Sequence, residues 1–166
     1  MKEIMYNELA KEALNQLAKG AFLCVSDGQK DNIMTIGWGS LSYIWSKPVW
    51  MVMVRHSRYT YELIENTDCF TLSIPIGANL KKELAYCGTK SGRDYDKWKE
   101  TNLTKVKAHK VSSYLVDECD LHYECKIVAK TPLLNDDMNV DLVSKFYPNQ
   151  DNHVLYFGEI VGTYVK

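Results

Sequence analysis

Near residue 20 the spacing of apolar side chains changes from a helical to an extended period. Before that point Leu9, Ala13, Leu14 and Leu17 recur at helical spacing, with Asn7 placed as an N-cap and Gly20 as a stop, which predicts an amphipathic entry helix. Beyond it, "AFLCVSDGQKDNIMTIGW" holds Asp27-Gly28 between two apolar, β-prone stretches, the mark of a hairpin. The run "PVWMVMV", Pro48 to Val54, does not alternate. It reads as a strand covered on both faces, by the core on one side and by something such as a partner subunit on the other.

"CFTLSIP" reads as a further strand ending at Pro75, and "ANLKKELAYCG" as a short helix closed by Gly88, before the polar "TKSGRDYDKWKETNLT". The last third is strand-rich: "LHYECKIVAKTPL" and "HVLYFGEIVGTYV" alternate in part and are separated by "NDDMN" and "YPNQDN". Six or so strands with short turns and small helices at the rim predict a mainly β chain folded as a small barrel. No repeat or low-complexity tract interrupts it, so residues 1–166 are expected to form a single domain.

Charge then removes several functions. Twenty basic and 21 acidic side chains leave a net charge of -1, too little field to hold nucleic acid or an anionic membrane. The N-terminus lacks a leader pattern, and no apolar run approaches the roughly 20 residues needed to span a bilayer, so a cytoplasmic protein is expected. Five cysteines, Cys24, Cys69, Cys87, Cys119 and Cys125, form no CxxC pair or zinc-type spacing, which suits reduced thiols. His56, His109 and His122 have no partner spacing that suggests a metal, and none is expected. There is no GxSxG elbow, GxGxxG turn or P-loop.

Two stretches carry candidate chemistry. In "RHSRYTYELIENT", residues 55–67, Thr60 is placed to cap "YELIEN", and a helix start favours an anion. Arg55 and Arg58 would add forked donors and Ser57 a hydroxyl, together a phosphate-sized site; a capped surface helix with solvated arginines fits the same residues. In "NIMTIGWGSLS", residues 32–42, Thr35, Gly37, Gly39 and Ser40 interrupt an apolar strand beside Trp38. Glycines there let a flat ligand approach the backbone, although a β-bulge at a barrel corner reads the same way. Arg93, Asp94, Asp96 and Lys97 read by themselves as a solvated charge run, and His153 as a strand-start histidine bonded to backbone.

The joint pattern is more specific. "NIMTIGWGSLSYIWSKPVWMVMVRHSRYTYELIENTDCFTLSIP", then "CGTKSGRDYDKW" and "ECDLHYECKIV", resembles the flavin reductase-like family with the FMN-binding split barrel, in its flavoredoxin-like branch. The likeness runs from about residue 20 to the C-terminus. It implies a homodimeric split β-barrel with FMN near the subunit interface. By that resemblance the FMN phosphate lies on Arg55, Ser57, Arg58 and Thr60. The ring lies against Met34, Thr35, Ile36, Gly37 and Trp38, with Gly39 and Ser40 following, and Ser91, Gly92 and Arg93 form a covering loop. His153 is placed on the nicotinamide side as a catalytic candidate. The implied activity is an oxidoreductase that passes electrons from NADH, NADPH or another donor through FMN to an acceptor. The alternative is a non-enzymatic FMN carrier between redox-protein partners.

Overall fold

The computed structural model describes residues 1–166. In chain order it contains β1 (Lys2–Glu3), α1 (Ala10–Leu17), β2 (Ala21–Ser26), β3 (Asp31–Ile36), β4 (Gly39–Ile44), β5 (Lys47–Arg55), α2 (Tyr59–Ile64) and β6 (Cys69–Ile74). There follow α3 (Lys81–Thr89), α4 (Lys97–Thr101), β7 (Lys105–Lys107), β8 (Tyr114–Val116), β9 (Leu121–Pro132), α5 (Val140–Phe146) and β10 (His153–Val165).

One antiparallel sheet runs in the order β3-β2-β6-β9-β10-β5-β4, with β1 paired to β10, and β7 and β8 form a separate ribbon. Its two edge strands, β3 and β4, are consecutive in the chain and joined by only Gly37 and Trp38. Three Cα steps of 3.8 Å reach about 11 Å, so the sheet must curl until its edges nearly meet. The result is a mainly β barrel, split between β3 and β4, with short helices at the rim.

The barrel interior holds Leu23, Trp50, Val52, Val54, Phe70, Leu72, Tyr123 and Tyr156, all nearly or fully buried. A second cluster lies outside β2 and β3, where Phe22, Cys24 and Ile33 meet Leu84 and Cys87 of α3. Every residue of β2 and β6 is buried, which explains why these strands read as continuous apolar runs. All five thiols are buried and unpaired, and burial raises the pKa of each.

Several local expectations shift. The hairpin forms, but Ser26 pairs with Asp31, so the turn spans four residues rather than two. Asp27 Oδ1 accepts from the amides of Gln29 and Lys30, and Gly28 takes φ +90°. The N-cap of α1 is Leu9, without a side-chain cap, rather than Asn7. Gly20, at φ +122°, follows the helix as expected and donates its amide to Gln16 and Leu17 carbonyls. Gly88 lies inside α3, which runs on to Thr89; a side chain there would press on Thr35. On β5 burial alternates: Trp50, Val52 and Val54 are buried, while Met51 and Met53 are half-exposed on the outer face. The chain supplies a cover for only one of its two apolar faces.

Candidate functional site

The split places an unpaired strand edge beside two cavities. In an antiparallel ladder a residue's N–H and C=O both face the partner or both face away. Lys97 Nζ donates to the carbonyl of Ile33 at 2.8 Å, so Ile33 faces away from β2, and by alternation so does Thr35. β3 has no partner on that side, which leaves the backbone groups of Thr35 free for a ligand.

The first cavity, of about 170 Å³, is lined by Met34 to Trp38 along one wall and by Met53, Arg55, Arg58 and His153 along the others. A second, of about 120 Å³, lies between Asn32, Ser57, Thr60, Gly88, the Lys90–Arg93 loop and Lys97. Met34 and Arg58 line both, so the two cavities meet at one guanidinium. Their combined shape is an apolar and aromatic recess opening beside a cationic corner.

In that corner Arg58 donates to the Gly88 carbonyl at 3.2 Å and keeps its other donors. Lys97 is only 4 % exposed. Its Nζ donates to the carbonyls of Ile33 and Cys87 at 2.8 and 2.9 Å, and it makes no ion pair. An ammonium has three donors, so one remains. Burial is the main cause that pulls its pKa down to about 8, with Cys87 opposing and Arg58 adding to it. A buried cation without a carboxylate, beside a second cation, is the electrostatic complement of a phosphate.

The helix start differs from the sequence expectation. The N-cap of α2 is Arg58, not Thr60, and α2 is only six residues long, so cations rather than a dipole define the corner. Thr60 is buried within the first turn, where its hydroxyl accepts from Asn32 Nδ2 at 2.8 Å. Arg55 turns the other way, donating to the carbonyls of Asp151 at 2.5 Å and Phe146 at 3.0 Å, with its guanidinium 5.0 Å from the Tyr147 ring. The Asp151 carboxylate takes both the amide and the hydroxyl of Ser57. Burial works against that carboxylate, but the Ser57 bonds and the Arg55 charge hold its pKa below the ordinary value. Arg55 and Ser57 therefore tie residues 146–151 to the rim as well as lining the cavities.

Ser91, Gly92 and Arg93 do come to the corner. Arg93 is held by Glu62 and by the Ser57 carbonyl, with its guanidinium 5.5 Å from the Tyr59 ring. Gly92 packs flush: a Cβ there would come within 2.1 Å of Asn32 Oδ1. Gly39 and Ser40 lie in β4, outside both cavities. The absence of a side chain at Gly39 answers to the sheet, since a Cβ would meet the Met51 carbonyl at 2.6 Å. At Gly37, by contrast, a Cβ would meet only ordinary contact, so the protein itself leaves that approach open.

His153 lines the first cavity, its ring tilted 51° to Trp38 at 5.4 Å, and Trp38 also meets Phe146 edge-on at 5.1 Å. Its Nδ1 is 2.9 Å from the Tyr147 hydroxyl. Burial, with Arg55 and Arg58 adding to it and Asp151 opposing, lowers its pKa to about 4. Asn32, Met53 and Lys97 line the site and Tyr147 backs its wall through His153; sequence reasoning passed over all four. Lys97 lies within the "SGRDYDKW" block, and Asn32 and Met53 lie within the longer block that opens at "NIMTIGW", but none of these residue types marked a ligand.

Comparison with known proteins agrees with this architecture. An uncharacterized protein of Archaeoglobus fulgidus is 29% identical over 140 residues, 84% of this chain and 68% of that one. Flavoredoxin from Methanosarcina acetivorans superposes with a TM-score of 0.69 at 24% identity, over 89% of this chain and 68% of that one. The flavoredoxin of Desulfovibrio vulgaris (Miyazaki F) gives 0.69 at 24%, over 89% and 69%. The NADH:FAD oxidoreductase SgcE6 of Streptomyces globisporus C-1027 gives 0.68 at 15%, over 89% and 75%. At these identities the solved structures establish the fold. The model of the flavin reductase like domain matches residues 14–166, nearly the whole barrel together with every residue of the two cavities, and the chain therefore belongs to the flavin reductase-like family.

Proposed function

We propose that the chain binds FMN, with the phosphate in the corner of Arg58, Lys97, Ser57, Thr60 and the Ser91–Arg93 loop and the ring against Met34–Trp38. The carrying observation is the meeting of the two cavities at Arg58, an aromatic recess with a free strand edge on one side and two cations without a paired carboxylate on the other. FMN so held would supply a carrier for two electrons, and the protein fixes its orientation and surroundings.

The reading is of an oxidoreductase in which NADH, NADPH or another donor delivers electrons and an acceptor removes them. Neutral His153 and Trp38 flank the open side where either would dock. A non-enzymatic carrier between redox proteins is favoured by a different observation: Trp38, at the cavity wall, is 42 % exposed, and the two flavoredoxins share the fold. Purified protein supplemented with FMN, desalted and then mixed anaerobically with NADH or NADPH separates the readings. Retained flavin that bleaches within seconds identifies a nicotinamide-linked enzyme. Flavin that stays yellow identifies a carrier, and loss of flavin on desalting refutes the FMN site.

A homodimer belongs to the same proposal. Met51, Met53, Leu155 and Phe157 share the outer face of β5 and β10 through the registers Met51↔Phe157 and Met53↔Leu155. Trp45 extends that face, its ring 5.9 Å from Phe157. Met53 also lines the first cavity, so a second copy seated here would border the ring side. Sedimentation of wild type and Phe157→Asp tests it: a dimer that becomes a monomer is expected, and a monomeric wild type overturns it.

A further inference from the structure

The neutral imidazole at His153 carries one proton, and the surrounding groups determine where it sits. Nδ1 lies 2.9 Å from the Tyr147 hydroxyl, and that hydroxyl makes no other hydrogen bond. Tyr147 is 5 % exposed and His153 8 %, so the pair lies largely out of bulk solvent. Were Nδ1 the donor, the phenol O–H would be left buried without an acceptor, at a cost of about 1–3 kcal/mol. With the phenol as donor, Nδ1 is a bare acceptor, both groups are satisfied, and the imidazole proton must lie on Nε2.

The residues around this pair hold it in place. Tyr147 follows α5 and bonds back to the Val143 carbonyl, the Arg55 guanidinium covers its ring, and Trp38 packs against the imidazole. The charged groups nearest the imidazole are Arg55, Arg58 and Asp151. Two of these three are cations, which keeps a third positive charge off the ring.

We propose that Tyr147 is a positioning residue that fixes His153 as the Nε2–H tautomer, so that the imidazole meets molecules docking at the ring-side cavity as a neutral hydrogen-bond donor. At neutral pH His153 is then unable to accept a proton at Nε2. It favours ligands that present a carbonyl or anionic oxygen over those that present a donor. The tautomer follows from the pair alone, whereas its role in docking rests on reading this cavity as the flavin-ring side.

The test is two-bond 1H–15N correlation of histidine-labelled protein at pH 7, with and without FMN, on wild type and Tyr147→Phe. Wild type is expected to show His153 with a protonated Nε2 and an unprotonated Nδ1, and Tyr147→Phe to admit the Nδ1–H form. Finding Nδ1–H or an imidazolium in wild type overturns the proposal, as does a Tyr147→Phe spectrum identical to wild type. Should the variant fail to fold, the wild-type tautomer decides alone. Loss of FMN on desalting with the Nε2–H tautomer intact would count against the flavin reading and leave the assignment standing.

Discussion

Replacing Lys97 by methionine should weaken flavin binding while leaving stability almost unchanged. The ammonium is 4 % exposed, and its pKa falls from 10.5 to about 8. At 1.36 kcal/mol per pH unit, the cost of keeping it charged at pH 7 is about 3 kcal/mol. The sign follows from the depressed pKa of a base: the penalty is present in full below pH 8 and fades as pH rises towards 10.5. Methionine has similar length and removes the penalty. It also strands the Ile33 and Cys87 carbonyls that Nζ now bonds, at about 1–3 kcal/mol for each, or roughly 4 kcal/mol together at mid-range. The two effects nearly cancel, so urea midpoints should stay within about 1–2 kcal/mol of wild type. FMN affinity, by contrast, loses one charge-assisted bond, about 1.5–3 kcal/mol or roughly 10- to 150-fold. Riboflavin, which lacks the phosphate, should bind equally to both proteins. Fluorescence titration with FMN and riboflavin at pH 7 reads the ratio directly. Repeating it from pH 7 to 10 should show wild-type FMN affinity falling as Lys97 discharges, with no such fall in Lys97→Met. An unchanged FMN-to-riboflavin ratio would refute the cation's role, and an unfolded variant would refute the cancellation.

Other substitutions probe the rest of the site. Arg58→Ala should weaken FMN by about 1.5–3 kcal/mol without unfolding the barrel, read by the same titration beside a thermal melt. Trp38→Ala should change bound-flavin fluorescence more than Trp98→Ala, because Trp38 lines the ring-side cavity while Trp98 bonds Asp31 through Nε1 at 2.7 Å; equal effects would refute the placement. His122 is fully buried, Ser73 Oγ lies 2.9 Å from its Nδ1, and burial lowers its pKa from 6.5 to about 4. Its stabilising neutral form is complete above pH 6.5 and lost as pH falls towards 4, worth up to about 3 kcal/mol. His122→Gln should flatten that part of a denaturation-against-pH curve.

Much of the barrel was legible because β2 and β6 bury their residues in unbroken runs, β5 is apolar on both faces, and the Asp27–Lys30 turn announces itself locally. The basic corner was legible too, but not its membership. Arg55 and Arg58 are alike in sequence, and only the carbonyls of Phe146 and Asp151, more than 90 positions away, draw one of them aside. Lys97 sits in a charge run that reads as solvated, and α4 must pack on β3 before its burial exists. The break at Gly37-Trp38 was hidden for the opposite reason. One apolar stretch serves two strands at opposite edges of a curled sheet, and edge position is a property of topology rather than of local residues.

That curl also dictates when the site comes into being. β3, β4 and β5 are made early, yet β5 reaches β6 in the sheet only through β9 and β10, and His153 opens the last strand. The two edges are tethered end to end by Gly37-Trp38 from the start, but the sheet that holds them at the split is complete only when the late strands pair with β6 and β5, far upstream, long loops to close before any contact rewards them. A nascent chain on the ribosome therefore displays Arg58 and Met34 before His153 stands opposite them. On the proposed function, flavin loading follows completion of the barrel: a chain truncated before β10 lacks His153 and the strand that ties β5 into the sheet, however intact its N-terminal motifs.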